Sequence, residues 1–116
     1  MGDKKKAAIF GSSQYREKFE ELAKTLRCEG YEVKIPAFDD HPDFDEYDVC
    51  NYNREVVEWA DIIYLIWDGR SVGVIFDFGM IFMARKPFKI EYIEKKTVAG
   101  VMRKYEEVKE WEKSSV

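Results

Sequence analysis

The sequence is short of the residues that build metal and redox sites. Among 116 residues there are two cysteines, one histidine, one glutamine and three prolines. A single histidine excludes multi-histidine zinc sites, and His41, in the polar stretch FDDHPDFDEYD, reads as a solvated loop residue. Cys28 and Cys50 are too few for a disulfide framework and too widely spaced for a metal knuckle, so they are expected to be buried free thiols, with no metal bound. There is no run of about 18 uncharged apolar residues, and the basic start MGDKKKAAIF lacks the apolar core of a secretory signal. The chain is therefore expected to be cytoplasmic, with no membrane partner. Basic residues do not dominate either: 19 Lys and Arg against 23 Asp and Glu leave a net charge of −4. That balance argues against nucleic-acid backbone binding and makes Lys4, Lys5 and Lys6 a solvated strand entrance. No GxxxxGK[ST] and no three-glycine dinucleotide pattern is present, so neither a P-loop nor a flavin role is supported, and no cofactor is expected. The scarcity of Asn and Gln beside 36% charged residues hints at a heat-adapted source.

What the sequence does contain is alternation. A length of 116 residues with 46% hydrophobic and 16% aromatic content suffices for one domain with a substantial core, expected over residues 1–112 with a frayed tail at 113–116. KAAIFG (6–11) is a short apolar run. Tyr15, Phe19, Leu22, Ala23 and Leu26 then share one helical face, with Ser12 or Ser13 as cap and Gly30 as terminator. YEVKIP (31–36) alternates as a strand, and an acidic loop separates it from a helix marked by Val49, Tyr52, Val56, Val57 and Ala60. DIIYLIW (61–67) has the nearly continuous apolar character of a central parallel strand. Residues 72 to 84 are apolar on all sides, which predicts an unusually buried helix. PFKIEY (87–92) reads as a fourth strand. A last helix is expected from near Thr97, with Val98, Val101, Met102, Tyr105 and Val108 on one stripe. This succession predicts an α/β fold: a three-layer sandwich around a flavodoxin-like, Rossmann-like parallel sheet of at least four strands in the order 2-1-3-4.

In such a sheet the ligand crevice lies beyond the carboxyl ends of strands one and three, where the order reverses. Those ends carry GSSQY and WDGRS. Each turn offers hydroxyls and backbone N–H groups at a helix start, suited to an anion or a sugar hydroxyl, although Gly and Ser are also ordinary strand-to-helix punctuation. Asp77 is the sharper feature. It lies about two turns into an apolar helix, where an unpaired ionised carboxylate would cost several kcal/mol. It either makes a structural hydrogen bond, pairs with Arg70 or Arg85, or points into the crevice as a nucleophile or base.

The segment SVGVIFDFGMIFMARKP resembles the signature of the nucleoside 2-deoxyribosyltransferase family, and more closely its 2′-deoxynucleoside 5′-phosphate N-hydrolase branch. That pattern is roughly S-x-G-[VT]-x-[YF]-E-[LI]-G-x-A followed by Lys-Pro. The likeness extends in element order over most of the chain, including IFGS after the first strand and Ala60-Asp61 before the third. It implies cleavage or transfer of the N-glycosidic bond of a deoxynucleoside or its 5′-monophosphate through a carboxylate nucleophile, a relative of retaining glycoside hydrolysis. It implies that Gly11 and Ser12 line the sugar or phosphate, that Ser71 and Gly73 hold a 5′-phosphate, and that Asp77 takes the place of the family's glutamate nucleophile. It also implies a homo-oligomer, often with a neighbouring subunit completing the pocket; the apolar surplus on the second and third helices is compatible with a dimer interface and equally with a tight core.

Three positions depart from that pattern. Asp77 is one methylene shorter than glutamate, Asn53 falls where an acid-supplying aspartate is usual, and Ala8 falls where a tyrosine commonly steers the nucleophile. Tyr15 and Asp68 are the candidate substitutes: Tyr15 as a phenol brought toward the crevice, Asp68 as the second catalytic carboxylate. Their plainer alternatives are core packing and turn formation with Gly69. Ser13 and Asn53 complete the candidate substrate-binding set. Phe38 and Trp67 are candidate base-stacking residues, with the core as the plainer place for both. The alternative to an enzyme is a nucleotide-binding or sensing domain that keeps the pocket with altered catalytic residues. A third reading is a flavodoxin-like interaction module, with the acidic segment 39–48 as its docking surface.

Overall fold

The structure, a computed structural model, describes residues 4–39, 41–93 and 98–114. Thr97, Asp40 and the last two residues of the expected tail lie outside the described residues. Four parallel strands form one sheet in the order β2-β1-β3-β4, with β1 at Lys6–Gly11, β2 at Glu32–Lys34, β3 at Ile62–Trp67 and β4 at Phe88–Tyr92. Helix α1 (Arg16–Cys28) covers one face, while α2 (Glu46–Trp59) and α3 (Val72–Ala84) cover the other. This is the α/β sandwich that the alternation of strand and helix patterns predicts.

Side-chain period decides the layers. Along β1, Ala8 and Phe10 join Val56, Val57 and Ala60 in one core, while Ala7 and Ile9 join Phe19, Ala23 and Leu26 in the other. β3 divides in the same way, Ile63 and Leu65 facing α2 and α3, and Tyr64 and Ile66 facing α1. Both central strands are thus buried on two faces, which is why they read as unbroken apolar runs.

The helix ends follow local chemistry. A 3-10 turn at Ser13–Tyr15 precedes α1, and neither it nor α1 has a side-chain cap, so the capping expected of Ser12 or Ser13 is absent. The other end behaves as expected. Gly30 (φ 96°) donates to Arg27 O and Tyr31 to Leu26 O, a Schellman termination that uses the left-handed conformation glycine tolerates. α2 begins three residues before Val49, because Asp45 and Asp48 form a reciprocal capping box: Asp48 N donates to Asp45 Oδ1 at 2.8 Å and Asp45 N to Asp48 Oδ2 at 3.3 Å. At the far end of α2, Lys86 Nζ donates to Glu58 O and Ala60 O, each at 2.8 Å. The Lys of the Lys-Pro pair thus ties the α3–β4 connection to carbonyls that a helix end leaves unsatisfied.

Two expectations are corrected. The thiols are free but not buried, since Cys28 is exposed in the last turn of α1 and Cys50 is half-buried. More consequentially, α3 is not buried on all sides. Val74, Asp77 and Ile81 are buried on the stripe that faces the sheet and Met80 is half-buried beside them, while Ile75, Phe76, Phe82 and Met83 stand exposed. Helix α4 (Val98–Ser114) extends outward with its described side chains accessible, and the molecule measures 68 × 36 × 27 Å.

Candidate functional site

The carboxyl ends of β1 and β3 are adjacent, with Gly11 in register with Ile66. Gly11 sits at this junction for a packing reason. A Cβ there would stand 2.9 Å from Ile66 O and 3.0 Å from Phe19 Cζ, so only glycine lets β1 leave the sheet against β3. The chain then turns through Ser12 and Ser13 to Tyr15, whose N–H donates to Ser12 O at 3.2 Å. Among the described residues no protein group engages the Ser12 or Ser13 hydroxyl.

Across from this turn, Asp68 joins the two loops. Its Oδ2 accepts from the Tyr15 hydroxyl at 2.6 Å, from Gln14 Nε2 at 3.4 Å and from Ser71 Oγ at 3.2 Å. Its Oδ1 accepts from the N–H groups of Arg70 at 2.8 Å and Ser71 at 3.0 Å. The Arg70 bond closes an Asx turn over Gly69, whose φ of 80° suits glycine. The Tyr15 hydrogen bond, then the Arg70 N–H, hold the Asp68 carboxyl well below the usual carboxylate range against the opposing effect of burial, with further help from Ser71. Tyr15 is pushed up to about 12, first by burial and then by its bond to Asp68. Asp68 is therefore an anion at any working pH, and Tyr15 keeps its proton.

This arrangement places an anion of the protein's own where the sequence suggests a ligand anion. Ser71 turns its hydroxyl to Asp68 and does not cap α3, and its N–H is also committed. Gly73 differs. A Cβ added there would meet nothing within 4 Å, so the first turn of α3 opens to solvent at that residue.

Asp77 belongs to a separate pair. It lies on the inward stripe of α3 between Val74 and Ile81, six residues and about 9 Å along the axis from Ser71. The Asn53 amide of α2 donates to its Oδ1 at 3.3 Å, and among the described residues no ion pair includes it. Neither Arg70 nor Arg85 answers its charge, and Arg85 instead closes α3 in the left-handed conformation. Burial pushes the Asp77 carboxyl up to about 6, with the Asn53 hydrogen bond pulling the other way. Nine per cent of the residue remains accessible, so a buried yet reachable carboxylate titrates just below neutrality.

The tertiary structure thus sorts the sequence candidates into two groups: Tyr15, Asp68 and Ser71 in one hydrogen-bonded cluster, and Asn53 with Asp77 in the other. Among the described residues, the hydrogen bonds named above stay within each group. Ala8 lies in the core beneath them. Gln14 and the Arg70 N–H are members of the cluster that sequence reasoning missed, and Gln14 was in plain view within GSSQY. Phe38 packs edge-on against Phe19 at 4.9 Å, and Trp67 packs half-buried against the α2–α3 core. An open groove of 590 Å³ runs from Gln14 and Tyr15 to Tyr92 and Ile93, and its lining does not include Asp77. Among the described residues no group of three or more His, Cys, Asp or Glu is placed to hold a metal ion.

Comparison with known proteins bears on the fold. A 2-desoxiribosyltransferase from Leishmania mexicana superposes with a TM-score of 0.60 at 16% identity, over 79% of this chain and 67% of that one. The CMP N-glycosidase BcmB of Clostridium botulinum superposes with a TM-score of 0.53 at 15% identity, over 85% of this chain and 98% of that one. The chain shares their fold. No protein-family model matches it, and no curated protein sequence does.

Proposed function

We propose that this protein cleaves or transfers the N-glycosidic bond of a deoxynucleoside or its 5′-monophosphate, with Asp77 as the nucleophile. The observation that carries this reading is the Asp77 carboxylate itself, buried on a helix that faces the sheet, unbalanced by any described cation, and perturbed to about 6. The fold it shares with a deoxyribosyltransferase and an N-glycosidase supports the same reading. Above pH 6 the carboxylate attacks C1′ and the glycosidic electrons leave with the base. Water or a second base then displaces the sugar and returns the Asp77 carboxylate. The Asn53 amide orients the nucleophile. Asp68, ionised and fixed by Tyr15 and Ser71, serves as the second carboxylate by stabilising the positive charge that develops on the sugar ring, not by giving a proton. Gly11, Ser12 and Ser13 line the sugar, and the open first turn of α3 at Gly73 receives a 5′-phosphate when one is present. Because the Ser71 hydroxyl proton is already given to Asp68, Ser71 meets substrate as an acceptor, from a sugar hydroxyl and not from a phosphate oxygen.

The test is chromatographic detection of free base after incubation with each deoxynucleoside and each deoxynucleoside 5′-monophosphate. Release should fall as pH drops through 6, and Asp77→Asn should lower it on the order of a thousandfold or more. Release unchanged in that variant would refute the assignment of Asp77. Binding of the same compounds without release would favour the sensing-domain alternative, to which Asn53 speaks because an amide supplies no proton.

A further inference from the structure

Removing a base from C1′ ordinarily takes a nucleophile and an acid that protonates the departing nitrogen, and the acid contributes roughly a hundred- to ten-thousandfold in rate. Asp77 can be the first of these. Among the described residues, the groups around it that could be the second are already committed. The Tyr15 hydroxyl gives its proton to Asp68 at 2.6 Å, and the Ser71 hydroxyl gives its own to the same carboxylate at 3.2 Å. Asp68 itself is ionised. On α2 the Tyr52 hydroxyl donates to Asp39, and Asn53, which meets Asp77 at 3.3 Å, is an amide with no proton to yield. Both phenols are pushed up to about 12, first by burial and then by these hydrogen bonds.

The rest of the surroundings add no acid. The strands beneath α3 contribute Ala8, Phe10, Ile63 and Leu65, none of which titrates. His41, the single imidazole, is stacked on Phe44 at 4.3 Å and set edge-on to Tyr52 at 4.7 Å, and it borders a cavity of 530 Å³ whose lining includes Arg27 and Lys34 but not Asp77. Charge points the same way. Above pH 6 Asp77 is a carboxylate with no ion pair among the described residues, and Asp68, in the loop that leads into the same helix, is a second anion. Such a crevice draws in a cation.

We infer that the preferred substrate is a 2′-deoxynucleoside whose base is positively charged before cleavage, a pyridinium or an N7-alkylated purine, so that the base departs without receiving a proton. The inference rests on Asp77 as the nucleophile. An Asp77 oxygen forms a bond to C1′, the C1′–N bond breaks, and its electron pair stays on the ring nitrogen, which turns the cationic base into a neutral molecule. Water then attacks C1′, the electrons of the sugar–Asp77 bond return to the carboxylate, and the proton of the water passes to solvent. Neither step draws on an acid of the protein. With a neutral purine or pyrimidine the same electron pair would leave on an anionic base, and the barrier rises accordingly. As the bond opens, positive charge passes from the base to the sugar ring, where the Asp77 and Asp68 carboxylates stabilise it.

A matched pair of substrates tests it. 7-Methyl-2′-deoxyguanosine and 2′-deoxyguanosine share a sugar and differ in one methyl group and its charge, and nicotinamide 2′-deoxyriboside separates a pyridinium from a purine. Base release is followed by chromatography and corrected for spontaneous loss without protein. At about pH 6.5, where Asp77 is ionised and the methylated base keeps its charge, kcat/KM for the methylated purine should exceed that for 2′-deoxyguanosine by about a hundredfold or more. With nicotinamide 2′-deoxyriboside, whose charge does not titrate, the profile should rise through about 6 and stay level to about pH 9. A falling limb would reveal a proton donor on the protein and overturn the inference. So would 2′-deoxyguanosine cleaved within about tenfold of its methylated form; if that release vanished in Asp77→Asn, the N-glycosidic reading would stand without this refinement. Charged substrates left intact, or cleaved equally by Asp77→Asn, would remove both. Asn53→Asp, which adds an acid beside Asp77, should narrow the preference by about tenfold, and a preference it leaves unchanged would overturn the link to the missing proton.

Discussion

Replacing Asp77 by Asn should make the protein more stable, and only above a defined pH. The folded-state carboxyl titrates at about 6 against an ordinary value of 3.8. That gap, about two on the pH scale, corresponds to about 3 kcal/mol of differential interaction. Between those two values the folded protein holds more protons than the unfolded chain, so stability falls as pH rises through the window and stays low above it. The amide that replaces the carboxylate would carry no charge to desolvate, and its carbonyl oxygen could still accept from Asn53. Asp77→Asn should therefore raise stability at pH 8 by up to about 3 kcal/mol, or roughly 10 °C in Tm for a chain of this size. The gain should shrink to a small fraction of that by pH 4, close to the ordinary value of 3.8, and vanish below about pH 3, where the wild-type carboxyl is protonated in both states. Urea and thermal unfolding followed by circular dichroism at pH 8, 6 and 4, at one fixed protein concentration, would measure this. A gain that is the same at every pH, or a loss at pH 8, would refute the claim that an uncompensated charge sits at this position. A pH-dependent gain paired with lost base release would show a site maintained at a cost to stability.

Two further outcomes follow from packing and capping. Gly11→Ala brings a Cβ within 2.9 Å of a backbone oxygen that cannot swing aside, and should destabilise the protein by about 2 kcal/mol or more in urea unfolding. Lys86→Met keeps the aliphatic stem but removes two hydrogen bonds to the end of α2; a loss of about 2 kcal/mol is expected, with faster amide exchange in the last turn of that helix.

The sequence by itself determined the elements and their order. β1 and α3 occupy the residues read from apolar runs and turn signals, and the strand order 2-1-3-4 follows from alternation and handed crossovers, because period, propensity and connection length are properties of neighbouring residues. It also pointed to the crevice loops and to Asp77, since a charge inside an apolar helix stands out along the chain. What only the tertiary structure decided concerns partners far apart in the sequence. Asp68 draws in Tyr15 from 53 residues away and fills the turn that the sequence offered to a ligand, whereas Asp77, 24 residues from Asn53, is given one weak donor. Neither outcome is written in local spacing, because it depends on how two loops meet across a sheet. The outer face of α3 shows the same division: an all-apolar helix calls for cover on every side, but which sides the fold covers is settled only when the sheet and α2 take their places.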